Sequence, residues 1–529
     1  MNALPEILSS ARKEYARKPA VSCHATPFIE LSYAGLRDSV SRAGAWLRSG
    51  GLSVGDRVML AALSGPAWVV AFFAVLESGG VVVPLAVETK PEAIAAVGRR
   101  TGALRIIAGD RHSKAAMESH KLIRIPAADL IAVGNSKSSP PPTVGRPDLA
   151  VLALTSGTTE VPRLVELTHG ALLANVEALL KVRQVGPGDK FLSMLPQAHM
   201  FELVVGLLAP LACGAEILYN GPLLPNRIID TIRDEQITHA LAVPALVTAL
   251  YGEILGRLAE KNLIDGGRRR QAPAVTARRL QSELSSDRLL RIRLGVRREI
   301  GEAFERIMVG GAALDPALID VLLALGIETD VGYGLTEAGP VVAIGRSAEF
   351  PHGSVGRPLP GVAVSLGADG EIQVQSPALM RGYHGDPAAT AAVLSSGWLK
   401  TGDLGTIDDE GYLYVSGRLK EAMVTASGET IHPDEMEPYY QSPHFRELCV
   451  AALPGPDGND LPTLFVVPLQ PDLPDCDLEQ VFRGLRAAAP ARMRVEQLVR
   501  QESPFPRTPT GKVCRRLLAD LHRREAQRT

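Results

Sequence analysis

An uncharged stretch near the N-terminus places the strongest constraint on the fold of this chain. Residues 58–76, VMLAALSGPAWVVAFFAVL, carry no charged side chain, and this length approaches that of a transmembrane helix. However, Gly65-Pro66 interrupts the stretch, and such a pair marks a turn. The stretch therefore predicts a buried strand over 58–63 and a buried helix over 67–76, followed by a second strand in VVVPLAV. A strand–helix–strand unit buried on both faces is typical of a parallel sheet, which we favour over a membrane span.

Short apolar runs with the same organisation recur along the chain. They are AVLALTSG (150–157), HALAVPALVTALY (239–251), ERIMVGGAAL (305–314) and ETDVGYGLTE (328–337). Each predicts a strand that ends in a turn, with helical patterns between successive strands. The alternation predicts doubly wound α/β layers, whose ligands collect beyond the carboxyl ends of the strands.

The sequence pattern changes after about residue 350, where short apolar runs are separated by glycines. Turns such as Asp369-Gly370 and Glu410-Gly411 predict a small antiparallel β subdomain. A further α+β pattern starts near 421. We therefore predict a large N-terminal domain over 1–416, a connection over 417–420 and a small C-terminal α+β domain over 421–529.

Composition excludes several classes of protein and leaves one basic segment to interpret. The net charge of −2 over 529 residues does not favour nucleic acid as a partner. The five cysteines are far apart, which supports neither a disulfide framework nor a zinc site and favours a reducing, cytoplasmic location. The N-terminus lacks the apolar core of a signal peptide. Arginines crowd 257–298; a solvated helical insertion is the favoured interpretation, and a patch for a phosphate-bearing partner is the alternative.

Four loops carry residues suited to nucleotide chemistry. LTSGTTEVPR (154–163) surrounds a glycine with hydroxyls, which can hold phosphate oxygens. VGYGLTE (331–337) supplies a carboxylate that can hold magnesium beside a phosphate. TGDLG (401–405) presents an aspartate that can accept two ribose hydroxyls, and PRTPTGK (506–512) ends in a lysine. Taken singly, each loop is also compatible with an ordinary turn or tail.

Together, in this order, these loops resemble those of the adenylate-forming superfamily, which includes acyl-CoA synthetases, peptide-synthetase adenylation domains and luciferases. The resemblance extends over nearly the whole chain, because LPQAHMFE (195–202), VGGAAL (309–314), GEIQVQSPALMRGY (370–383) and SGRLKE (416–421) also match. It implies ATP, Mg²⁺ and CoA as reactants and cofactor, and a C-terminal domain that moves about a hinge.

The resemblance also implies a role for individual residues. It makes Lys512, His199 and Glu337 catalytic, Thr159 and Glu337 magnesium ligands, and Lys420 the hinge. It places the acid against His199, Val243 and Pro244, and the thiol channel at Ser427, Gly428 and Glu429. It assigns nucleotide contacts to Thr155, Ser156, Gly157, Thr158, Thr159, Arg163, Gly310, Gly311, Ala312, Ala313, Gly332, Tyr333, Gly334, Leu335, Thr336, Asp403 and Arg418.

Within the superfamily, the medium- and long-chain fatty acyl-CoA synthetases are most similar. LPQAHMFE, the helical insertion before VGGAAL, and GRLKEAMVTASGETIHPDEME (417–437) carry this similarity. It implies an enzyme that converts an acid and ATP to acyl-AMP and pyrophosphate and then transfers the acyl group to CoA. The apolar run 239–250 favours an apolar acid. Transfer to the phosphopantetheine of an acyl carrier protein is the nearest alternative.

One segment departs from the superfamily pattern. The phosphate loop has Glu160, Arg163 and Leu164 where glycine, lysine and glycine are usual. Arginine keeps the charge but changes its geometry, and loss of two glycines stiffens the loop. We expect weaker ATP binding or slower adenylation than in typical members. A non-catalytic nucleotide- or acyl-binding relative is the alternative from another class, although Glu337, Asp403 and Lys512 are retained.

Overall fold

The fold was examined in a computed structural model of the 529-residue chain. It describes the chain except for residues 25–27, 113–116, 118–120, 135–139, 156–161, 184, 221–223, 265–272, 274–275, 278–284, 347–348, 425–429, 456–459, 508–512 and 527–529.

Helices and strands alternate through most of the described chain. The helices are α1 Glu6–Tyr15, α2 Tyr33–Ser49, α3 Pro66–Glu77, α4 Pro91–Thr101, α5 Ala127–Ala132, α6 His169–Val182, a π-helix Glu202–Leu208, α7 Ala209–Cys213, α8 Pro225–Asp234, α9 Pro244–Glu260, α10 Ser286–Ile300, α11 Pro316–Ala324, α12 Pro387–Val393, α13 Pro433–Met436, α14 Asp475–Ala488 and α15 Arg515–Ala526. Short 3₁₀ turns occupy Thr336–Ala338, Leu419–Glu421, Glu437–Tyr440 and Ala491–Met493.

The strands fall into three larger sheets and two small ones among the described residues. They are β1 Pro19–Cys23, β2 Ile29–Ser32, β3 Arg57–Ala61, β4 Val81–Pro84, β5 Arg105–Ala108, β6 Ile123–Pro126, β7 Leu149–Leu154, β8 Leu164–Thr168, β9 Lys190–Ser193, β10 Glu216–Tyr219, β11 His239–Ala242, β12 Arg306–Val309, β13 Glu328–Gly334, β14 Val341–Arg346, β15 Arg357–Pro358, β16 Ala363–Leu366, β17 Glu371–Gln375, β18 Gly382–Tyr383, β19 Leu394–Ser395, β20 Trp398–Ile407, β21 Leu413–Arg418, β22 Met423–Val424, β23 Thr430–Ile431, β24 Phe445–Pro454, β25 Asp460–Pro468 and β26 Gln497–Arg500.

Two largely parallel sheets form the body of the molecule. One has the order β15-β14-β13-β12-β11-β9-β10-β1-β2 and is parallel from β13 to β1. The other has the order β18-β8-β7-β4-β3-β5-β6 and is parallel from β7 to β6. We call these the first and the second sheet. Their parallel register brings the carboxyl ends of neighbouring strands to one edge, which is where ligands bind in such folds.

A layer of helices between the two sheets explains the uncharged stretch in the sequence. The largest core cluster joins side chains of both sheets, such as Met308 and Val82, to those of α2, α3, α6 and the π-helix. In α3 every residue except Ala67 is buried. A helix packed on all sides must be apolar all round, so α3 looks like a membrane span without being one. Within the described residues, no helix combines the length and apolar character needed to span a membrane.

The remaining sheets follow in chain order. Antiparallel strands β16, β17, β20, β19 and β21 form the predicted small β subdomain. The last part of the chain contains the pair β22-β23 and the sheet β24-β25-β26, covered by α14 and α15. The predicted fold class, doubly wound α/β layers with a small β subdomain and a small C-terminal α+β unit, is confirmed. The boundaries at 416 and 421 stay predictions.

Most arginines of the insertion that the structure describes are exposed, in agreement with the predicted solvated insertion, while others contact the rest of the fold. Helix α10 buries Ile292, Val296 and Ile300 against the first sheet's outer core. Arg257 pairs with Asp230 at 2.8 Å, and its side chain is only 14% exposed. Several of these arginines therefore attach the insertion to the fold. Arg268, Arg269, Arg270, Arg278 and Arg279 lie outside the described residues.

Candidate active site

Two glycines lie side by side at the carboxyl edge of the first sheet. Val309 of β12 is directly opposite Val331 of β13, so the next residues, Gly310 and Gly332, are neighbours. Both point to the side of the sheet that Met308 faces, because side chains alternate along a strand. The sheet surface beneath the helices is therefore bare backbone at this point. We call this depression over Gly310 and Gly332 the trough.

The ring of Phe201 covers one end of the trough. A Cβ atom at Gly310 would lie 3.1 Å from two ring carbons of Phe201, so a larger residue would push the ring back by a few tenths of an ångström. His199, two residues earlier, lies half-buried in the turn before the π-helix, and its carbonyl oxygen accepts the Leu203 N–H at 2.9 Å. His199 thus lies two residues before the ring that covers the trough, and its place in the acid pocket stays a prediction.

A buried carboxyl group fixes the segment that carries His199. Glu202 is fully buried, and the Ser193 hydroxyl and the Leu195 N–H donate to its carboxyl group. Gly206 makes room for it, since a Cβ atom there would lie 2.7 Å from the Glu202 Oε1. Burial raises the pKa of Glu202 from 4.5 to about 8 despite these hydrogen bonds. The group is therefore protonated and neutral at neutral pH.

We expect the variant Glu202→Gln to become progressively more stable than the wild type as the pH rises. Because the folded-state pKa is raised, the contribution of Glu202 to stability is fully present below 4.5 and is lost as the pH rises through about 8. Glutamine has the shape of the protonated acid and cannot ionise. Melting temperatures of both proteins at several pH values from about 5 to about 9 measure the difference. An exposed control, Glu260→Gln, should follow the wild type; parallel curves for Glu202→Gln would contradict the assignment.

Glu337 is oriented by a tyrosine that the sequence analysis did not single out. The 3₁₀ turn Thr336–Ala338 presents Glu337 just after β13, and the Tyr383 hydroxyl donates to its Oε1 at 2.9 Å. The guanidinium carbon of Arg163 lies 4.7 Å from the centre of the Tyr383 ring. Burial, and then the charge of Glu337, raises the pKa of Tyr383 to about 12, so the phenol remains a donor.

The carboxylate of Glu337 suits magnesium. Its Oε2 has no hydrogen-bond donor among the residues that the structure describes, while Oε1 is held by Tyr383. Magnesium in phosphate-transferring sites binds to one or two carboxylates together with phosphate oxygens, so a single oriented carboxylate fits this ion. The second predicted ligand, Thr159, lies outside the described residues.

Asp403 lies on a strand of the small β subdomain and is held from two directions. The Tyr333 hydroxyl donates to Asp403 Oδ2 at 2.9 Å, and Arg418 Nε lies 3.0 Å from Oδ1. Asp403 and Arg418 are also paired across β20 and β21. Burial, followed by the charge of Asp403, raises the pKa of Tyr333. Each carboxylate oxygen keeps a second lone pair, so the group can still accept hydroxyls of a ribose.

The two ends of the predicted phosphate loop are joined to each other. The Thr155 N–H donates to the Arg163 carbonyl at 2.9 Å, and the Arg163 N–H donates to Thr155 Oγ1 at 3.1 Å. The loop between them therefore leaves β7 and returns to β8 at one point, close to Tyr383. The predicted phosphate contacts Ser156, Gly157, Thr158 and Thr159 lie outside the described residues, as does Glu160.

The other predicted contacts surround the same edge. Val243 and Pro244 lie at the start of α9, and a Cβ atom at Gly311 would be 3.9 Å from Val243. Ala312 and Ala313 are exposed in the turn after Gly310, and Gly334, Leu335 and Thr336 connect Tyr333 to Glu337. The structure thus brings the described members of the predicted site together.

The C-terminal candidates are described only in part. Lys420 is exposed in the turn Leu419–Glu421, and its role as the hinge stays a prediction. Ser427, Gly428, Glu429 and Lys512 lie outside the described residues. Arg507 and Val513, which flank the predicted lysine loop, are paired with each other. Arg515 is buried and contacts Glu421 at 2.9 Å, Glu437 at 2.8 Å, and also Asp434.

Sequence reasoning missed Phe201, Tyr383 and the buried polar groups around Glu202. Phe201 and Glu202 belong to the LPQAHMFE segment, and Tyr383 ends the segment GEIQVQSPALMRGY, so both segments were identified without these roles. The signal that could have found Tyr383 is its position at the end of a predicted strand, where a ring can reach a neighbouring loop.

Comparison of the chain with known proteins identifies the family to which it belongs. The sequence pattern of the family described as "AMP-binding enzyme" matches residues 8–384. A feruloyl-CoA synthase of an Amycolatopsis species is 29% identical, with 94% of this chain and 96% of the relative covered. A long-chain-fatty-acid–CoA ligase of Mycobacterium tuberculosis is 24% identical, with 93% of each covered.

Solved structures share the same architecture. The o-succinylbenzoate CoA synthetase of Bacillus subtilis, solved with its acyl-adenylate intermediate, has a TM-score of 0.80 at 19% identity, with 98% of each chain covered. The family pattern covers most of this chain, and relatives match it nearly end to end. The protein therefore belongs to the AMP-binding enzymes, the family of adenylate-forming acyl-CoA ligases.

Proposed function

We propose that the protein is an ATP-dependent acyl-CoA synthetase that activates an apolar carboxylic acid and transfers it to CoA. One observation carries the proposal. Three features of the site lie within the six residues from Gly332 to Glu337. Gly332 forms part of the trough, the Tyr333 hydroxyl donates to Asp403, and Glu337 supplies the carboxylate suited to magnesium. An acid, a ribose and a metal-bound phosphate can thus meet at a single edge of the first sheet.

In the first half-reaction, a carboxylate oxygen of the acid attacks the α-phosphorus of ATP. A new O–P bond forms, and the bond to the bridging oxygen breaks with its electron pair leaving on pyrophosphate. Asp403 accepts the ribose hydroxyls and fixes the nucleotide, which aligns the attack. Arg163, and Lys512 once the C-terminal domain closes, offset the negative charge on the phosphate oxygens. Magnesium, held by Glu337 and Thr159, would supply further positive charge there.

In the second half-reaction, the thiol of CoA attacks the carbonyl carbon of the acyl-adenylate. A C–S bond forms, AMP leaves with the electron pair of the C–O bond, and the thiol proton passes to solvent. The small domain, proposed to begin at 421, rotates about Lys420 between the two steps. Ser427, Gly428 and Glu429 are proposed to border the thiol channel, where a glycine allows close approach of the pantetheine arm.

The experiment that tests the proposal measures pyrophosphate release with ATP and Mg²⁺ across a panel of carboxylic acids, with and without CoA. The panel includes fatty acids of increasing length and aryl acids, since the relatives act on both kinds. We expect release that requires one class of acid and that turns over only with CoA. A single burst without turnover, even with CoA, would point to a carrier-protein thiol. No release with any acid, in a protein that binds ATP by calorimetry, would favour a non-catalytic relative.

A further inference from the structure

Residues 380–384 contact both the turn that carries Glu337 and the strand that follows the phosphate loop. On one side, the Met380 N–H donates to the Glu337 carbonyl at 2.8 Å. On the other side, the His384 N–H donates to the carbonyl of Leu164, the first residue of β8, at 2.8 Å. We call residues 380–384 the clasp. It fixes the backbone of the magnesium carboxylate relative to the exit of the phosphate loop.

The clasp is itself held by the second sheet. Gly382 and Tyr383 form β18, which pairs antiparallel with β8 and places Gly382 opposite Glu166. The side chains extend this pairing, because His384 Nδ1 lies 2.7 Å from Glu166 Oε1. The Tyr383 N–H donates to Thr390 Oγ1 at 2.9 Å, which ties the clasp to α12. The side chain of Tyr383 therefore projects from a backbone with little freedom to move.

The side chain of Tyr383 contacts groups of opposite charge with its two parts. Its hydroxyl donates to Glu337 Oε1 at 2.9 Å. Its ring lies against Arg163, whose guanidinium carbon is 4.7 Å from the ring centre, within the range of a cation–π contact. Tyr383 is only 8% exposed, so both contacts are largely shielded from water. One buried ring thus joins a cation of the phosphate loop to the carboxylate suited to magnesium.

Arg163 fits this ring better than the lysine that is usual at its position. A planar guanidinium can lie against an aromatic face and still direct N–H groups towards a phosphate, whereas an ammonium group is compact and strongly hydrated. The backbone of Arg163 is fixed as well, because its N–H donates to Thr155 Oγ1 at 3.1 Å. The departure from the usual residue is therefore matched to a contact that the fold provides.

We propose that Tyr383 is a positioning residue that couples the phosphate loop to the magnesium carboxylate, with its ring fixing Arg163 and its hydroxyl fixing Glu337. The proposal rests on the proposed function, because it takes Arg163 to contact a phosphate of ATP and Glu337 to hold magnesium. Both partners belong to one ligand, ATP with its metal, so the two protein groups must lie at a matching separation. Fixing them before binding lowers the entropy cost of binding.

The variant Tyr383→Phe tests the hydroxyl, since it keeps the ring against Arg163. We expect the affinity for ATP in excess Mg²⁺, measured by calorimetry without any acid, to fall at least about tenfold, as is usual when the partner of a metal ligand is lost. The affinity for ATP in EDTA should stay unchanged, whereas a general loosening of the site would lower both. An unchanged affinity in Mg²⁺, or equal losses in both conditions, would overturn the proposal.

The variant Arg163→Lys tests the ring. Although it restores the usual residue, we expect it to weaken ATP binding about fivefold, the effect of one shielded cation–π contact. In a Tyr383→Leu background, which has no ring, the same change should cost at most about twofold. Tighter or unchanged binding in Arg163→Lys, or a full effect in the background without the ring, would overturn the coupling. Thermal unfolding checks that the Tyr383→Leu protein is folded, and Tyr383→Phe decides the proposal if it is not.

The chain offers a matched control for each change. The Tyr414 hydroxyl donates to Asp408 Oδ2 at 3.0 Å, and the guanidinium carbon of Arg357 lies 4.4 Å from the centre of the Tyr412 ring. None of these residues belongs to the candidate site. Tyr414→Phe and Arg357→Lys should therefore leave the affinity for ATP unchanged in both conditions. A loss in either control as large as in its counterpart would contradict a specific role for Tyr383.

Binding without acid separates this proposal from the proposed function. If no acid supports pyrophosphate release, the proposed function fails, and the comparison of ATP binding with and without Mg²⁺ still judges the role of Tyr383. If the wild type releases pyrophosphate but Tyr383→Phe shows no loss specific to Mg²⁺, the function stands and the coupling is overturned. Absence of ATP binding by the wild type would overturn both.

Discussion

Replacing Asp403 with alanine is expected to lower kcat/KM for ATP by about a hundredfold to ten-thousandfold. In the proposed function Asp403 accepts two hydrogen bonds from ribose hydroxyls; each contributes about 1.5–3 kcal/mol, and every 1.4 kcal/mol is a factor of ten. The substitution also leaves the Tyr333 hydroxyl and the Arg418 guanidinium without the acceptor that holds them. Steady-state pyrophosphate release at varied ATP measures the change.

The variant Tyr333→Phe is the matched control for this prediction. It removes only the hydroxyl that donates to Asp403 Oδ2 and keeps the ring in place, so a loss of no more than a few fold is expected. Thermal unfolding of both variants checks that the site is intact. A folded Asp403→Ala protein that loses less than tenfold would show that the nucleotide ribose binds elsewhere.

Replacing Lys512 with alanine is expected to lower the rate of adenylation by about a hundredfold to a thousandfold while changing the KM for ATP little. An oriented cation acts on charge that develops in the transition state, and loss of one such group typically has this size of effect. Arg507 and Val513, the described residues on either side of 508–512, are paired with each other, and Arg515 contacts Glu421 and Glu437.

Assaying the two half-reactions separately provides the control for the Lys512→Ala prediction. Exchange of pyrophosphate into ATP reports adenylation, which Lys512→Ala should impair. Thioester formation from supplied acyl-adenylate and CoA should survive, because in the proposed mechanism the lysine acts only in the first step. Arg516→Ala removes an exposed cation from the same C-terminal segment and should leave both rates unchanged. Equal losses in both half-reactions of Lys512→Ala would indicate a structural role instead.

Most of the fold could be predicted because its elements are local. The strand–turn–helix units at 58–76 and 239–251 each appear in the structure, since an apolar run ended by glycine or proline has few alternatives. The partners of individual arginines in the insertion could not be predicted, because which of them contact carboxylates or carbonyls depends on how α9 and α10 pack. Arg257 and Asp230 are an example.

In the candidate site, too, some residues could be predicted from the sequence and others could not. Glu337 and Asp403 were predicted from loops that resemble those of the superfamily, and their roles stay predictions. The contact of Tyr383 with Glu337 joins a strand of the second sheet to a turn of the first, and no spacing in the sequence encodes it. The contact of the buried Asp330 with Arg183 and Arg306 is equally non-local, since it joins the end of α6 to β12 and β13.

The order of strands in the first sheet has a consequence for the making of this protein. Strand β1, at residues 19–23, pairs on one side with β2 and on the other with β10, at residues 216–219. The β10 side of β1 therefore stays unpaired until nearly the whole first half of the chain has been synthesised. During that time the first sheet is incomplete and cannot cover the side of α3 that packs against it, and α3 is apolar all round. Such long-range pairing slows folding and exposes surfaces that aggregate. We therefore expect fragments truncated before β10 to be less soluble than the whole chain, a cost of the same topology that brings the strand ends to one edge.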